Sequence, residues 1–210
     1  MSHIERIQCG NGNCYLVTDG ESAILVDTGR TKFREKILAK CRGKNVRLIV
    51  LTHGHVDHVQ NAAFLSEALH APVAMHGDDY GLAKDNRSEP MSAHGLLGKI
   101  VLKLSQKSFQ VDKIEPFEPQ VFLKDGDSLR EYGVPAAVVE LPGHTKGSIG
   151  ILVDDTDILV GDALMNMFCP AKSLLYGDRG RMEQSAARIS ALGGVTVHFG
   201  HGKPVKNRDW

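Results

Sequence analysis

Short apolar runs alternate with stretches of helical periodicity along this chain, punctuated by turns rich in Gly, Asp and Asn. Residues 14–18 and 23–27 read as two strands joined at Asp19-Gly20. Thr31 is placed to cap a helix whose apolar face is Phe33, Ile37, Leu38 and Cys41, with Gly43 as its stop. Residues 46–51 are apolar apart from Arg47, the pattern of a strand buried on both faces. A second helix is predicted from near His58 to just before Pro72, with Ala62, Leu65 and Leu69 facing inward, followed by a strand over 73–76. Further along, 121–123 and 128–131 flank Lys124-Asp125-Gly126-Asp127, a hairpin signal. Strands are predicted over 136–141, 148–153 and 157–160, a helix over 181–192 and a last strand over 195–199. Strands and helices alternate in both halves, so the expectation is an α/β layered fold in a single domain spanning 1–210.

The segment 77–118 breaks this alternation. Within it Leu96, Leu97, Ile100, Val101 and Leu104 recur at helical spacing, while Lys99, Lys103 and Lys107 line an opposite stripe.

Composition narrows the function classes. Twenty-five basic residues balance 25 acidic ones, so no broad field favours nucleic acid. No apolar stretch approaches the roughly 20 residues that span a bilayer, which argues against stable membrane insertion. Residues 1–6 lack the basic flank and apolar run of a signal peptide. Cys9, Cys14, Cys41 and Cys169 include no CxxC pair, so neither a zinc ribbon nor a disulfide framework is suggested. The expected compartment is cytoplasmic and the expected partner a small-molecule substrate, with a homo-oligomer left open.

Ten histidines are present, and they cluster. The segment Thr52-His53-Gly54-His55-Val56-Asp57-His58 directly follows the buried strand at 46–51. Such a strand-to-helix turn aims imidazoles and a carboxylate into one small volume, a donor set suited to a borderline cation such as zinc. Three glycine-flanked residues also follow predicted strands: His144 in Pro142-Gly143-His144, Asp162 in Gly161-Asp162, and His201 in Gly200-His201-Gly202. A single His or Asp after a strand is most often a turn or capping residue. Three of them at strand ends of one alternating chain point to a shared site.

The HxHxDH run, the glycine-flanked His, the GD pair and the final GHG resemble, in this order and across nearly the whole chain, the metallo-β-lactamase superfamily. Asp27, in Val26-Asp27-Thr28-Gly29, resembles its first motif. The resemblance implies a four-layer αββα sandwich with two divalent metal ions, zinc first and iron or manganese as alternatives. It implies that His53, His55 and His144 hold one ion, Asp57, His58 and His201 the other, and that Asp162 bridges both. A hydroxide bridging the metals would attack the substrate, with Asp57 assisting proton transfer to the leaving group. Asp27 and Thr52 would orient ligand imidazoles from behind.

The bridging Asp162 favours the thioesterase and lactonase branches, so the expected activity is hydrolysis of a small ester, thioester or lactone. The chain resembles the type II glyoxalases without their C-terminal helical domain, since it ends at Trp210, shortly after His201. Lys172 loosely matches a basic residue that those enzymes use for glutathione, in a different surrounding motif. Met165 stands where lactonases usually carry Tyr. Met165, Met167, Phe168 and Tyr176 are expected to line a substrate pocket, and Lys146 to meet a substrate carboxylate. The helix near 93–108 is expected to roof the cleft, against the alternatives of an outer packed helix, a dimer contact or a membrane-facing element. Two rival functions stand beside the hydrolase: a mononuclear-iron persulfide dioxygenase and a non-catalytic metal-binding regulatory protein.

Overall fold

The computed structural model describes residues 1–210, apart from the side chains of residues 109 and 110. Its strands are β1 His3–Cys9, β2 Gly12–Asp19, β3 Ser22–Val26, β4 Asn45–Val50, β5 Val73–Met75, β6 Ser92–Ala93, β7 Val121–Phe122, β8 Ala136–Glu140, β9 Ile149–Val153, β10 Asp157–Leu159, β11 Leu164–Met165, β12 Ala171–Lys172, β13 Leu175–Tyr176, β14 Thr196–His198 and β15 Val205–Lys206. Its helices are α1 Arg34–Cys41, α2 Val56–Val59, α3 Ala62–Leu69, α4 Tyr80–Lys84, α5 Gly95–Val111 and α6 Arg179–Ser190.

Two sheets carry the fold, one ordered β1-β2-β3-β4-β5-β7 and the other β15-β14-β10-β9-β8. The period-2 alternation of each strand sends its side chains into two different apolar layers. Val17, Ile24, Val26, Leu48 and Val50 of the first sheet meet Val138, Ile149, Ile151 and Val153 of the second between the sheets. Leu16, Leu25 and Ile49 point the other way and pack on Ile37 and Cys41 of α1 and Ala62 and Leu65 of α3. On the far side of the second sheet, Val139, Ile158 and Val197 pack on Ala186 and Ile189 of α6. Three apolar layers between four layers of structure make the expected αββα sandwich.

The topology also gathers one end of the strands. In the first sheet β3 and β4 run parallel. In the second, β8 and β10 are each antiparallel to β9, and β10 is parallel to β14. Strands β8, β10 and β14 therefore point the same way, and the turns after them open at one edge. Thr52, just beyond β4, joins the two sheets there, its carbonyl accepting from the Ile149 N–H at 2.9 Å.

Several local expectations are corrected. Residues 121–131 form no hairpin: β7 pairs parallel with β5, whereas Ser128 bridges Ala137 in the other sheet. The Lys124–Asp127 turn carries the chain between sheets, from β7 at the edge of the first to the Ser128 bridge on the second. Thr31 does not cap α1 but lies in a 3-10 turn, Thr31–Phe33, that precedes it. The predicted second helix is two pieces, α2 and α3, and the first begins at Val56, before His58. Helix α6 starts at Arg179, where the Asp178 carboxylate accepts from the Arg181 N–H. Among the described residues no helix is long and apolar enough to cross a membrane.

Candidate metal centre

Each residue singled out at a strand end lands at the gathered edge. His53 and His55 sit in the turn after β4, and Asp57 and His58 in α2. His144 follows β8, Asp162 follows β10 and His201 follows β14. Donor atoms of His53, His55 and His144 lie within 4.8 Å of one another, as do those of His53, His58 and Asp162, and those of Asp57, His58 and His201. Asp162 lies between the outer two sets, 3.8 Å from His144 Nε2, 3.6 Å from His58 Nε2 and 3.2 Å from His201 Nε2. His201 Nε2 is 3.5 Å from Asp57 Oδ2.

The surrounding hydrogen bonds decide which nitrogen of each ring faces inward. His58 Nδ1 donates to Asp27 Oδ2 at 2.8 Å. The Thr52 hydroxyl donates to the same carboxylate and accepts from His53 Nδ1 at 3.1 Å. His144 Nδ1 donates to the Leu175 carbonyl and His201 Nδ1 to the Asn11 carbonyl, each at 2.9 Å. Each of the four rings thus has its outer nitrogen committed as a donor, so that its neutral form directs the lone pair of the other nitrogen inward. His55 Nδ1 approaches the inward Nε2 of His144 to 3.0 Å. Asp27 occupies this position with φ of 62°, a conformation uncommon for a residue with a side chain, in which its carboxylate reaches both Thr52 and His58.

Charge and burial fit a cation. His53 Nε2, His58 Nε2 and Asp162 Oδ1 are buried polar atoms without a hydrogen-bond partner, a costly state that a coordinated ion would relieve. Burial pushes His53 well below the ordinary imidazole range and His55 down to about 3, so both are neutral donors. For His58 and His201 burial acts in the same direction but is outweighed by carboxylates. Asp27, Asp162 and Asp57 hold His58 up at about 10, and Asp162 with Asp57 holds His201 at about 9. Asp162 is correspondingly held well below the carboxylate range despite its burial. Two retained protons mark where the site accumulates positive charge.

The glycines beside the ligand positions have a steric reason. A Cβ on Gly200 would fall 2.2 Å from Asp162 Oδ1 and 2.8 Å from the His58 ring, so the β14 turn can pass behind the site only as glycine.

Other bracing residues were not singled out from the sequence. Asp79 is fully buried and accepts from the Gly54 N–H at 2.7 Å, the Gly147 N–H at 2.6 Å and the Thr145 hydroxyl at 2.8 Å. It thereby ties the His53–His58 turn to the His144 turn. Asn86 accepts from the Val56 N–H and donates to the Gly54 carbonyl. Asn13 and Tyr15 of β2 hold the final turn through the Phe199 carbonyl. The available clue for Asp79 was its setting in Gly77-Asp78-Asp79 after an apolar strand, which resembles the setting of Asp162.

A cavity of about 490 Å³ opens onto the site, with His55, Asp57, His144, Asp162 and His201 in its floor. Met165, Met167 and Phe168 belong to its wall, as do Leu97, Ile100, Val101 and Leu104 of α5. Lys146, Lys172 and Tyr176 are not among the described lining residues. The Lys146 ammonium instead pairs with Glu89 at 3.2 Å, with its side chain 68% exposed.

The chain matches the family model of the metallo-beta-lactamase superfamily over residues 7–201. It is 31% identical over 181 residues to an uncharacterised protein of Mycobacterium leprae, covering 83% of this chain and 76% of that one. It is 29% identical over 157 residues to the hydroxyacylglutathione hydrolase GloC of Haemophilus influenzae, covering 72% and 66%. Among solved structures, TTHA1623 in a di-iron-bound form superposes with a TM-score of 0.72 at 26% identity, covering 97% of this chain and 94% of that one.

Proposed function

This chain belongs to the metallo-β-lactamase superfamily, and from that premise we propose that it is a hydrolase of small esters, thioesters or lactones that holds two divalent metal ions, zinc in the first instance. His53, His55 and His144 would hold one ion, Asp57, His58 and His201 the other, and Asp162 both. The observation that carries this reading is Asp162 itself, buried between two sets of inward-facing imidazole nitrogens with one oxygen unsatisfied. Bound there, the ions supply Lewis acidity, lowering the pKa of a coordinated water and polarising the bond under attack.

The remaining chemistry belongs to the protein. Asp27 and Thr52 set the ring orientations of His58 and His53. Asp57 is the more accessible carboxylate, part-exposed at the cavity floor, and so is placed to pass a proton to a departing alcohol or thiol. The likeness to a hydroxyacylglutathione hydrolase supports the thioester as the first class to assay.

The test is elemental analysis of the purified protein alongside turnover of generic thioesters, esters and lactones. Two equivalents of metal with metal-dependent turnover are expected. Iron in place of zinc would follow the di-iron form of TTHA1623 and leave the hydrolase reading intact. One iron per chain with oxygen uptake on a persulfide would replace it by the oxidoreductase. Two metals and no turnover on any substrate would favour a regulatory binding protein.

A further inference from the structure

Helix α5 is held at its two ends and left bare in its middle. Before its first turn, β6 pairs antiparallel with β13, and the His94 N–H donates to the Leu174 carbonyl at 2.9 Å. At its last turn Arg30 bonds Ser108 at 2.8 Å and pairs with Asp112, which follows the helix. Between these anchors Gly98 is the one buried residue among those described. Leu97 remains 44% exposed, Ile100 52% and Leu104 66%, and Phe168, across the cavity, 64%.

An amphipathic helix of this length normally buries its apolar stripe against protein. Here the stripe faces the cavity whose floor is the metal centre. The cavity's arginine and lysine are both engaged, Arg30 with Ser108 and Asp112, and Lys32 over the Phe33 ring at 5.1 Å. The α5 side of the wall therefore presents mainly hydrocarbon, and the guanidinium beside it is already paired.

Resting on the hydrolase reading, we propose that the acyl part of the substrate is an uncharged, extended apolar chain laid along the Leu97–Ile100–Leu104 face of α5, with its carbonyl at the metal centre. The helix selects substrates by the length of that chain. The cavity's size suits a ligand of this class, since small-molecule sites span roughly 300–1,000 Å³.

The test uses the metal-loaded protein with a series of p-nitrophenyl esters from acetyl to decanoyl. The expected result is a rise in kcat/KM of up to about fourfold per added methylene, until the cavity is filled, expressed mainly in KM. Ile100→Glu and Leu104→Ser should flatten that slope, with metal content and thermal unfolding monitoring the fold. Binding of decanoate and of acetate, measured by calorimetry on the same proteins, reads the proposal without turnover. Decanoate should bind at least about tenfold more tightly to the wild type and lose that advantage in Ile100→Glu. Hydrolysis that ignores chain length would overturn the proposal while leaving the hydrolase standing. Equal binding of the two carboxylates would overturn it even in a protein that turns over no ester. Length-independent turnover with co-sedimentation on anionic lipid vesicles would assign the α5 face to a membrane surface instead.

Discussion

Asp27 and His58 are joined by a 2.8 Å hydrogen bond that decides which nitrogen of His58 faces the site. Through Thr52 the same carboxylate sets His53 as well. One residue that is not in the donor set thus orients two that are. Asp27→Ala should weaken metal affinity by about 10- to 100-fold, because both rings lose the partner that fixes their tautomer. Thr52→Val should act in the same direction and less strongly, since it touches only His53. Competition with a chromophoric chelator measures both.

The metal-free protein should be most stable near neutral to slightly acidic pH. His58 and His201 are raised to about 10 and about 9, above an unfolded value of about 6.5. Their contribution is complete below about pH 6.5 and is lost as pH rises through those folded values. His53 and His55 are depressed, so below about pH 6.5 the unfolded chain takes up protons that the folded one refuses. Melting temperature against pH should therefore peak near about 6.5 and fall on both sides. A monotonic rise from pH 6 to pH 10 would contradict this assignment of protons.

Asp79→Ala should destabilise the fold by at least about 2 kcal/mol, since it strands two backbone N–H groups in the interior, while the Thr145 hydroxyl keeps Ser148 as a partner. Chemical unfolding of the variant should show a lower midpoint. Metal content should also fall, because the two turns that Asp79 joins carry His53, His55 and His144.

Gly200→Ala should abolish stoichiometric metal binding. The added methyl would sit 2.2 Å from Asp162 Oδ1, so either the carboxylate or the β14 turn has to move. Elemental analysis after desalting checks it. Gly194→Ala provides the control, because that glycine, like Gly200, has no positive φ but lies in open space.

The candidate donor set was legible because its spacing is local. His53 to His58 share one strand-to-helix turn, and His144, Asp162 and His201 each follow an apolar run and touch a glycine. Residues whose role is to bond a distant backbone carried no such mark. Asp79 and Asn86 lie in the stretch that interrupts the alternation, and their partners at Gly54, Val56 and Gly147 are visible only in three dimensions. Strand β1 was hidden for another reason. It is an edge strand whose run His3-Ile4-Glu5-Arg6-Ile7-Gln8 holds few apolar residues, and its pairing with β2 supplies the order that its pattern lacks.

By itself the sequence determined the layers and the strand ends, because hydrophobic period and glycine placement act through neighbours in the chain. It also determined the residue types able to grip a cation. Only the tertiary structure decided that Lys124–Asp127 crosses between sheets, that Lys146 turns away to Glu89, and that α5 lines the cavity with its apolar stripe unburied. Each of those outcomes depends on which distant surface a segment meets. A residue's local pattern says that it must find a partner, and the packing of the whole chain says which one.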